Sequence, residues 1–325
     1  MPLVTRWGLL STARINDALL AGMALVAETR PVAVASRDAQ RARAYARARD
    51  IETAYGSYEE LLADPTVDIV YISLPNSMHV EWTRRAMNAG KHVLCEKPLS
   101  RSPVEVAALF DLADSRGLVL SEAFMYRHHP QTAALKALVD SGELGELRLL
   151  RATFSFSCDP GDPRLRAELD GGGMMDVGCY PVSMFRLLAG EPVRASVEQL
   201  TGGDGVDVVA AAVMRFSGGV IGHFDSGLAM PDRSGLEIVG ARATVTVAHP
   251  WQPRPGTFEI WHDGVQQPQR VLVPDANSYA IQVADLSAAV RGERPQLLGR
   301  VDAVGQAAAL AALYSSAASG GTVTL

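Results

Sequence analysis

Short apolar runs alternate with segments of helical spacing through residues 1–122. Leu3-Val4 and residues 7–10 read as a first β-run, and residues 15–27 follow with Ile15, Leu19, Leu20, Met23 and Val26 near helical spacing. The rhythm repeats: β-runs at 31–35, 69–73, 92–95 and 118–120, helices at 39–49, 58–63, 80–88 and 104–115. The β-runs lack strict polar alternation, the signature of strands covered on both faces. Strand and helix in turn at this spacing predict an α/β fold with a Rossmann-type, doubly wound parallel sheet.

From residue 123 strands follow strands. One helix at 131–140 precedes β-runs at 147–157, 193–200, 207–216, 220–226, 236–239 and 243–247, and an Ala-rich helix covers 302–318. Gly202-Gly203 and Gly218-Gly219 are hairpin signals between the β-runs. This half is expected to be an α+β domain with a large, mainly antiparallel open sheet. The change of rhythm alone puts the boundary between domains 1–122 and 123–325, and 325 residues suit about two domains.

Composition narrows the classes. A hydrophobic fraction of 48% with 20% charged residues belongs to an ordered globular chain. Lys and Arg number 30 against 36 Asp and Glu, a net charge of −6, so nucleic acid is not an expected partner. Cys95, Cys158 and Cys179 are too few and scattered for a disulfide framework or a paired-cysteine zinc site, which suits the cytoplasm. The apolar stretch 19–26 is too short to span a bilayer and closes at Glu28 and Arg30, so it reads as a buried helix and no membrane partner is expected.

Candidate chemistry begins at the first strand-to-helix turn, Gly8-Leu9-Leu10-Ser11-Thr12-Ala13-Arg14-Ile15. A dinucleotide site needs a tight turn here, with backbone N–H groups at the helix start to hold pyrophosphate. Ser11 and Ala13 stand where glycines are usual, and the Ser11 and Thr12 hydroxyls are available to phosphate. The same residues read equally as a Ser/Thr-capped helix start without ligand. After the second strand, Ser36, Arg37 and Arg41 offer donors to a 2′-phosphate, favouring NADP(H) over NAD(H), although Asp38 lies beside them. Leu74, Pro75, Asn76 and His79 follow the next core strand, at the edge that lines the ligand crevice of such a sheet. Glu96 and Lys97 end the strand after it, with Pro98 fixing the direction of the lysine.

Three blocks then carry a family resemblance: Gly90-Lys91-His92-Val93-Leu94-Cys95-Glu96-Lys97-Pro98-Leu99, Glu122-Ala123-Phe124-Met125-Tyr126-Arg127-His128-His129-Pro130, and Gly171-Gly172-Gly173-Met174-Met175-Asp176-Val177-Gly178-Cys179-Tyr180-Pro181. In this order, over nearly the whole chain, they resemble the Gfo/Idh/MocA oxidoreductases. The resemblance implies an N-terminal dinucleotide-binding domain and a C-terminal substrate-binding and oligomerisation domain whose open sheet serves a homo-oligomer. It maps the family's functional positions onto Glu96, Lys97, Asp176 and Tyr180. Many members carry histidine at the last of these, and tyrosine is similar to the branch with NADP-dependent D-xylose dehydrogenase, dimeric dihydrodiol dehydrogenase and glucose-fructose oxidoreductase. The turn at Ser11 and Ala13 departs from the family's usual glycines.

The chemistry makes sense on these residues. Asp176 and Tyr180, four apart, share a face if helical. Oxidation of an alcohol needs a base for the hydroxyl proton, and a tyrosine with pKa about 10 is poor at neutral pH. The Lys97 ammonium would lower it and bind the alkoxide, while Asp176 orients the substrate hydroxyl or the lysine. Phe124, Tyr126, Arg127 and Tyr279 are expected on the substrate side. His128 and His129 suggest metal, but the three or four convergent ligands of a zinc site are missing, and none is expected.

The leading reading is an NADP-dependent oxidoreductase, an enzyme acting on CH–OH groups of a sugar or polyol in the manner of an aldose 1-dehydrogenase. A trans-dihydrodiol dehydrogenase or a keto-sugar (deoxysugar) reductase is the alternative. Phe124, Tyr126, Phe154, Phe156 and Trp251 would suit an aromatic pocket, and Arg127, His128, Asp159, Asp162 and Arg164 a hydroxyl-rich one. Whether residues 159–170 fold over the pocket as a lid is not readable from the sequence. The remaining alternative, a catalytically silent NADP-binding regulatory protein, fits poorly with Lys97 and Tyr180 both in place.

Overall fold

The computed structural model describes residues 4–253 and 255–325; Leu3, read with the first β-run, lies outside them. In chain order the first elements are β1 (Thr5–Leu10), α1 (Ile15–Met23), β2 (Thr29–Ala35), α2 (Ala39–Ala48), β3 (Thr53–Tyr55), α3 (Tyr58–Leu62), β4 (Ile69–Ile72), α4 (His79–Asn88), β5 (His92–Cys95), α5 (Pro103–Arg116) and β6 (Leu120–Glu122). Among the described residues β1 to β6 form one parallel sheet in the order β3-β2-β1-β4-β5-β6. Every residue of β4 is buried, as its unbroken apolar run requires. Local chemistry sets the helix starts: Asp38 caps α2, Ser57 and Glu60 form a capping box on α3, and Ser102 caps α5 with Pro103 in its first turn.

The chain continues with α6 (Pro130–Asp140), β7 (Leu147–Ser157), α7 (Cys179–Ala189), β8 (Pro192–Thr201), β9 (Asp207–Phe216), β10 (Ile221–Gly227), β11 (Ala229–Gly240), β12 (Ala243–Val247), β13 (Thr257–His262), β14 (Gln269–Leu272), α8 (Ser278–Val290), α9 (Arg300–Ser319) and β15 (Val323–Thr324). A second sheet runs β14-β13-β12-β11-β7-β10-β9-β8-β15, antiparallel except where β10 pairs with β7. Period-2 alternation divides its faces. Leu150, Ala212, Phe224, Leu236, Ile238 and Val245 are buried. The neighbouring register carries His223, Arg151, Glu237, Thr246, Glu259 and Arg270 as one row across six strands.

The chain forms two compact units, Met1–His128 with Asn277–Val304, and His129–Ala276 with Gly305–Leu325. Residues 123–128 and 277–304 thus fall in the first unit, beyond the 122/123 boundary expected from rhythm. Side-chain packing explains the return: in α1, Gly22 lets the backbone of Tyr279 and Ala280 in α8 approach. A Cβ at Gly22 would lie 2.7 Å from the Ala280 nitrogen and 2.8 Å from the Tyr279 carbonyl carbon. Gly22→Ala should therefore force the two helices apart and cost about 2–3 kcal/mol, read as a lower Tm and denaturation midpoint. An unchanged midpoint would show that α8 does not rest on α1 in this way.

Candidate functional site

The first turn is built without its usual glycine. Ser11 takes φ 109°, a region that L residues rarely occupy. Hydrogen bonds hold it there: its N–H donates to the Ala35 carbonyl (3.1 Å), its hydroxyl bonds the Ser73 hydroxyl (2.8 Å), and Asn16 Nδ2 donates to its carbonyl (2.9 Å). Thr12, Ala13 and Arg14 complete the turn and Ile15 opens α1, which has no side-chain cap. An uncapped helix start after a parallel strand fits a pyrophosphate, whose oxygens would accept from its N–H groups. Gly8 lies inside β1 instead, and a Cβ there would stand 2.8 Å from Leu61 Cδ2 and 3.0 Å from Val67 Cγ1. Packing under α3 accounts for that glycine.

At the end of β2, Asp38 accepts from the Gln40 (2.8 Å) and Arg41 (3.1 Å) nitrogens, and these bonds hold its carboxyl below the usual range. Its Oδ1 thus caps α2. Ser36, buried, accepts from Arg41 Nε at 3.0 Å, and exposed Arg37 reaches the Tyr58 hydroxyl. The guanidinium groups of Arg37 and Arg41 thus lie just beyond the carboxyl end of β2.

The turn at residues 96–99 is tied from several elements. The Glu96 N–H donates to the Ile72 carbonyl (2.9 Å), and its carboxylate accepts from the Tyr71 hydroxyl (2.5 Å). His79, fully buried, has Nδ1 at 2.8 Å from the Pro98 carbonyl and Nε2 at 2.9 Å from the Leu74 carbonyl. The Leu99 N–H donates to buried Glu122 (2.7 Å). Lys97 is thus held between fixed neighbours, and His79 joins the loop of Leu74, Pro75 and Asn76 to the lysine turn. Both ring nitrogens of His79 face main chain.

Phe124 and Tyr126, both fully buried, pack edge to face at 6.2 Å between centroids. Arg127 pairs with Asp302 at 3.1 Å, a partner that sequence reasoning did not supply because 175 residues separate them. Tyr279 sits in the first turn of α8, 9% exposed, against Gly22.

In the second unit Asp176 lies in a π-helical turn, Met174–Gly178, that runs into α7, where Tyr180 occupies the first turn. Such turns recur at functional sites because they displace the side chains on them. Buried Asp207 anchors this one: it accepts from the Met174 nitrogen (2.6 Å) and the Tyr314 hydroxyl (3.0 Å). A Cβ on Gly173 would lie 3.2 Å from its Oδ2, so the glycine run exists to admit this carboxylate. That run was the signal for Asp207, but it does not name the partner. Arg164 pairs with Asp162 (3.0 Å) and Asp176 (3.4 Å) and lies over the Phe156 ring at 5.1 Å, so the 159–170 segment is fastened to the candidate aspartate. The Tyr180 ring meets Phe154 at 5.2 Å and Trp251 at 5.9 Å, and Phe154 stacks on Trp251. Near Arg164, burial pushes the Cys158 thiol up to about 11, which disfavours its thiolate.

A parallel-sheet unit with an uncapped first helix and a lysine held at its carboxyl edge defines the class, a dinucleotide-binding oxidoreductase. The model of the oxidoreductase family with NAD-binding Rossmann fold matches residues 8–124, and that of the GFO/IDH/MocA C-terminal domain matches residues 132–246. The chain belongs to this Gfo/Idh/MocA family and is an NAD(P)-binding oxidoreductase. It is similar to a D-xylose 1-dehydrogenase (NADP+) of Haloferax volcanii, 37% identical over 98% of this chain and 99% of that one. It is also similar to a dTDP-3,4-didehydro-2,6-dideoxy-alpha-D-glucose 3-reductase of Streptomyces violaceoruber, 37% identical over 84% and 81% of the two chains. A 3-ketoreductase of Actinomadura kijaniata, solved with NADP and TDP-benzene, superposes with TM-score 0.88 at 28% identity, covering 96% of this chain and 98% of that one.

Among the described residues no group of three or more His, Cys, Asp and Glu is placed to hold a metal, and no helix is long and apolar enough to cross a membrane. The histidines have another consequence. Burial lowers His79, His92, His128, His129 and His223, and brings His128 to about 4 although Asp285 opposes the shift. A buried neutral histidine binds its proton more readily once unfolded, so this stability is complete above pH about 6.5 and is lost as pH falls toward 4. Unfolding at pH 7 and 4.5 should show His128→Asn removing about 2–3 kcal/mol of the acid-induced loss. An unaltered pH dependence would mean that His128 is not held neutral.

Proposed function

We propose that this protein is an NADP-dependent enzyme that moves a hydride between the nicotinamide and a carbinol or carbonyl carbon of a sugar or polyol, as an aldose 1-dehydrogenase does. The observation that carries the reading is the lysine turn: Lys97 is bracketed by polar groups bound to buried Tyr71, His79 and Glu122. Such fixing belongs to a group that must meet a reacting atom, since a surface lysine gains nothing from it. The 37% identity to an NADP-dependent xylose dehydrogenase over nearly the full chain supports the substrate class.

NADP+, when bound, would supply the hydride acceptor. The α1 start, with Ser11, Thr12, Ala13, Arg14 and Ile15, is assigned its pyrophosphate; Ser36, Arg37 and Arg41 its 2′-phosphate; Leu74, Pro75, Asn76 and Glu96 the nicotinamide half. Ser36 and the guanidinium groups of Arg37 and Arg41 offer donors to that phosphate, while Asp38 turns Oδ1 to the α2 cap, which supports NADP over NAD. Tyr180 takes the hydroxyl proton as the carbonyl forms, and the Lys97 ammonium stabilises the negative charge on that oxygen. Asp176, paired with Arg164, orients the substrate hydroxyl. Phe154 and Trp251 around Tyr180 provide apolar faces for the C–H surface of a sugar ring. The same ring faces favour, as a second reading, reduction of a keto-sugar, the reverse transfer on the same residues. Phe124, Tyr126, Arg127 and Tyr279 complete the proposed substrate side. A homo-oligomer formed through the second sheet and a cytoplasmic setting belong to the same reading; in its support, Cys95, Cys158 and Cys179 form no disulfide.

Three variants test it. Tyr180→Phe and Lys97→Ala should each lower kcat by about 10²–10⁴ with D-xylose or another aldose, while the NADPH Kd from fluorescence titration changes little for Tyr180→Phe. Turnover at the native rate by either variant would remove that residue from the mechanism. Arg37→Ala should weaken NADPH about tenfold and leave NADH nearly unchanged; an equal loss for both would place 2′-phosphate recognition elsewhere.

A further inference from the structure

Tyr71 is an anomaly in the core of the first unit. It lies on β4, the strand between β1 and β5, where the sequence Ile69-Val70-Tyr71-Ile72 is otherwise aliphatic and wholly buried. Leu9 and Leu94 are its register partners on the two sides. A phenylalanine would satisfy every packing demand of that position, so the hydroxyl needs its own explanation. It donates to Glu96 Oε1 at 2.5 Å, and Glu96 immediately precedes Lys97.

We propose that Tyr71 is a positioning residue, whose buried hydroxyl holds the Glu96 carboxylate fixed at the edge of the sheet, where Glu96 in turn serves the cofactor and Lys97. The inference rests on the reading above that this edge is where the nicotinamide half binds. The lock works in both directions. If Glu96 swung away, the Tyr71 hydroxyl would be stranded in the core, a loss of the kind that makes buried polar groups insist on partners. If Tyr71 lost its hydroxyl, the carboxylate would lose a short charge-assisted bond that favours its ionised form. Tyr71 itself stays protonated: burial and the charge of Glu96 push it far up, with Tyr279 from α8 and Cys95 from β5 adding to the shift. Further ionisable groups around the turn include Glu122 from β6, which also acts on Cys95, and Lys97, which acts on His79 of α4. Preorganisation of this kind lets an edge carboxylate meet its ligand without first giving up mobility.

The test is a double-mutant cycle read by NADPH fluorescence titration from pH 5 to 8, with thermal melts as a folding control. Tyr71→Phe keeps the volume and should melt close to the native protein. Its NADPH Kd at pH 7 should rise about fivefold, and the pH below which binding weakens should move upward by about half a unit as Glu96 protonates more readily. Glu96→Gln should remove that pH dependence. Adding Tyr71→Phe to Glu96→Gln should then change the Kd less than twofold. An unchanged Kd and pH profile in Tyr71→Phe, or full additivity of the two substitutions, would overturn the proposal. Because the readout is binding, it stands apart from the reaction assigned above: native turnover by Lys97→Ala would sink that assignment and leave the coupling of Tyr71 to Glu96 still measured.

Discussion

Buried main chain must find partners for its polar groups, and at the carboxyl edge of a parallel sheet the strands have just run out of them. The rest of the candidate site depends on how this chain meets that demand at residues 96–99. Glu96, Pro98 and Leu99 are each bound by a different element: β4 through Ile72 and Tyr71, α4 through His79, and β6 through Glu122. The lysine between them inherits their rigidity. His79 extends the same frame to the Leu74 carbonyl, so the loop assigned to the cofactor and the turn that carries Lys97 are braced by one imidazole.

The second unit meets a similar demand in another way. A glycine run lets the Asp207 carboxylate reach the first N–H of a π-helical turn, and Tyr314 holds that carboxylate from α9. Asp176 sits within the turn and Tyr180 just after it. The candidate residues Lys97 and Asp176 are therefore carried on short irregular segments that regular elements hold by charge-assisted or buried hydrogen bonds. Neither segment owes its shape to propensity.

Much of the scaffold was legible because its strands and most helices answer to local rules. The β-runs at 147–157 and 207–216 coincide with β7 and β9, and glycines stand in the turns after β8 and β9. What was not legible lacks a periodic signal. In α7 the residues from Pro181 to Arg186 are all buried, which erases the polar stripe that marks a surface helix. The helix α8 is likewise buried on several sides, and its place beside α1 depends on a glycine 257 or 258 positions away in sequence, too far for any local pattern. At the candidate site the residue types were readable and their duties were not. Asp38 reads as an odd charge beside phosphate donors and caps a helix, and Gly8 reads as part of a phosphate turn and makes room for Leu61 and Val67. Arg164 was visible as a charge near the pocket; its bond to Asp176 needed the structure.

The central claim is that hydride passes directly between a sugar carbon and the nicotinamide on residues this scaffold holds still. The most direct measurement is to incubate the protein with NADP+ and D-xylose deuterated at C1, then locate the label by mass spectrometry and NMR of the reduced cofactor. The account predicts one deuterium at nicotinamide C4, appearing with a primary isotope effect on single turnover. Reduced cofactor without the label would contradict direct transfer from the sugar, and no reduction of NADP+ by any aldose or polyol together with no oxidation of NADPH by any keto-sugar would contradict the assigned reaction itself.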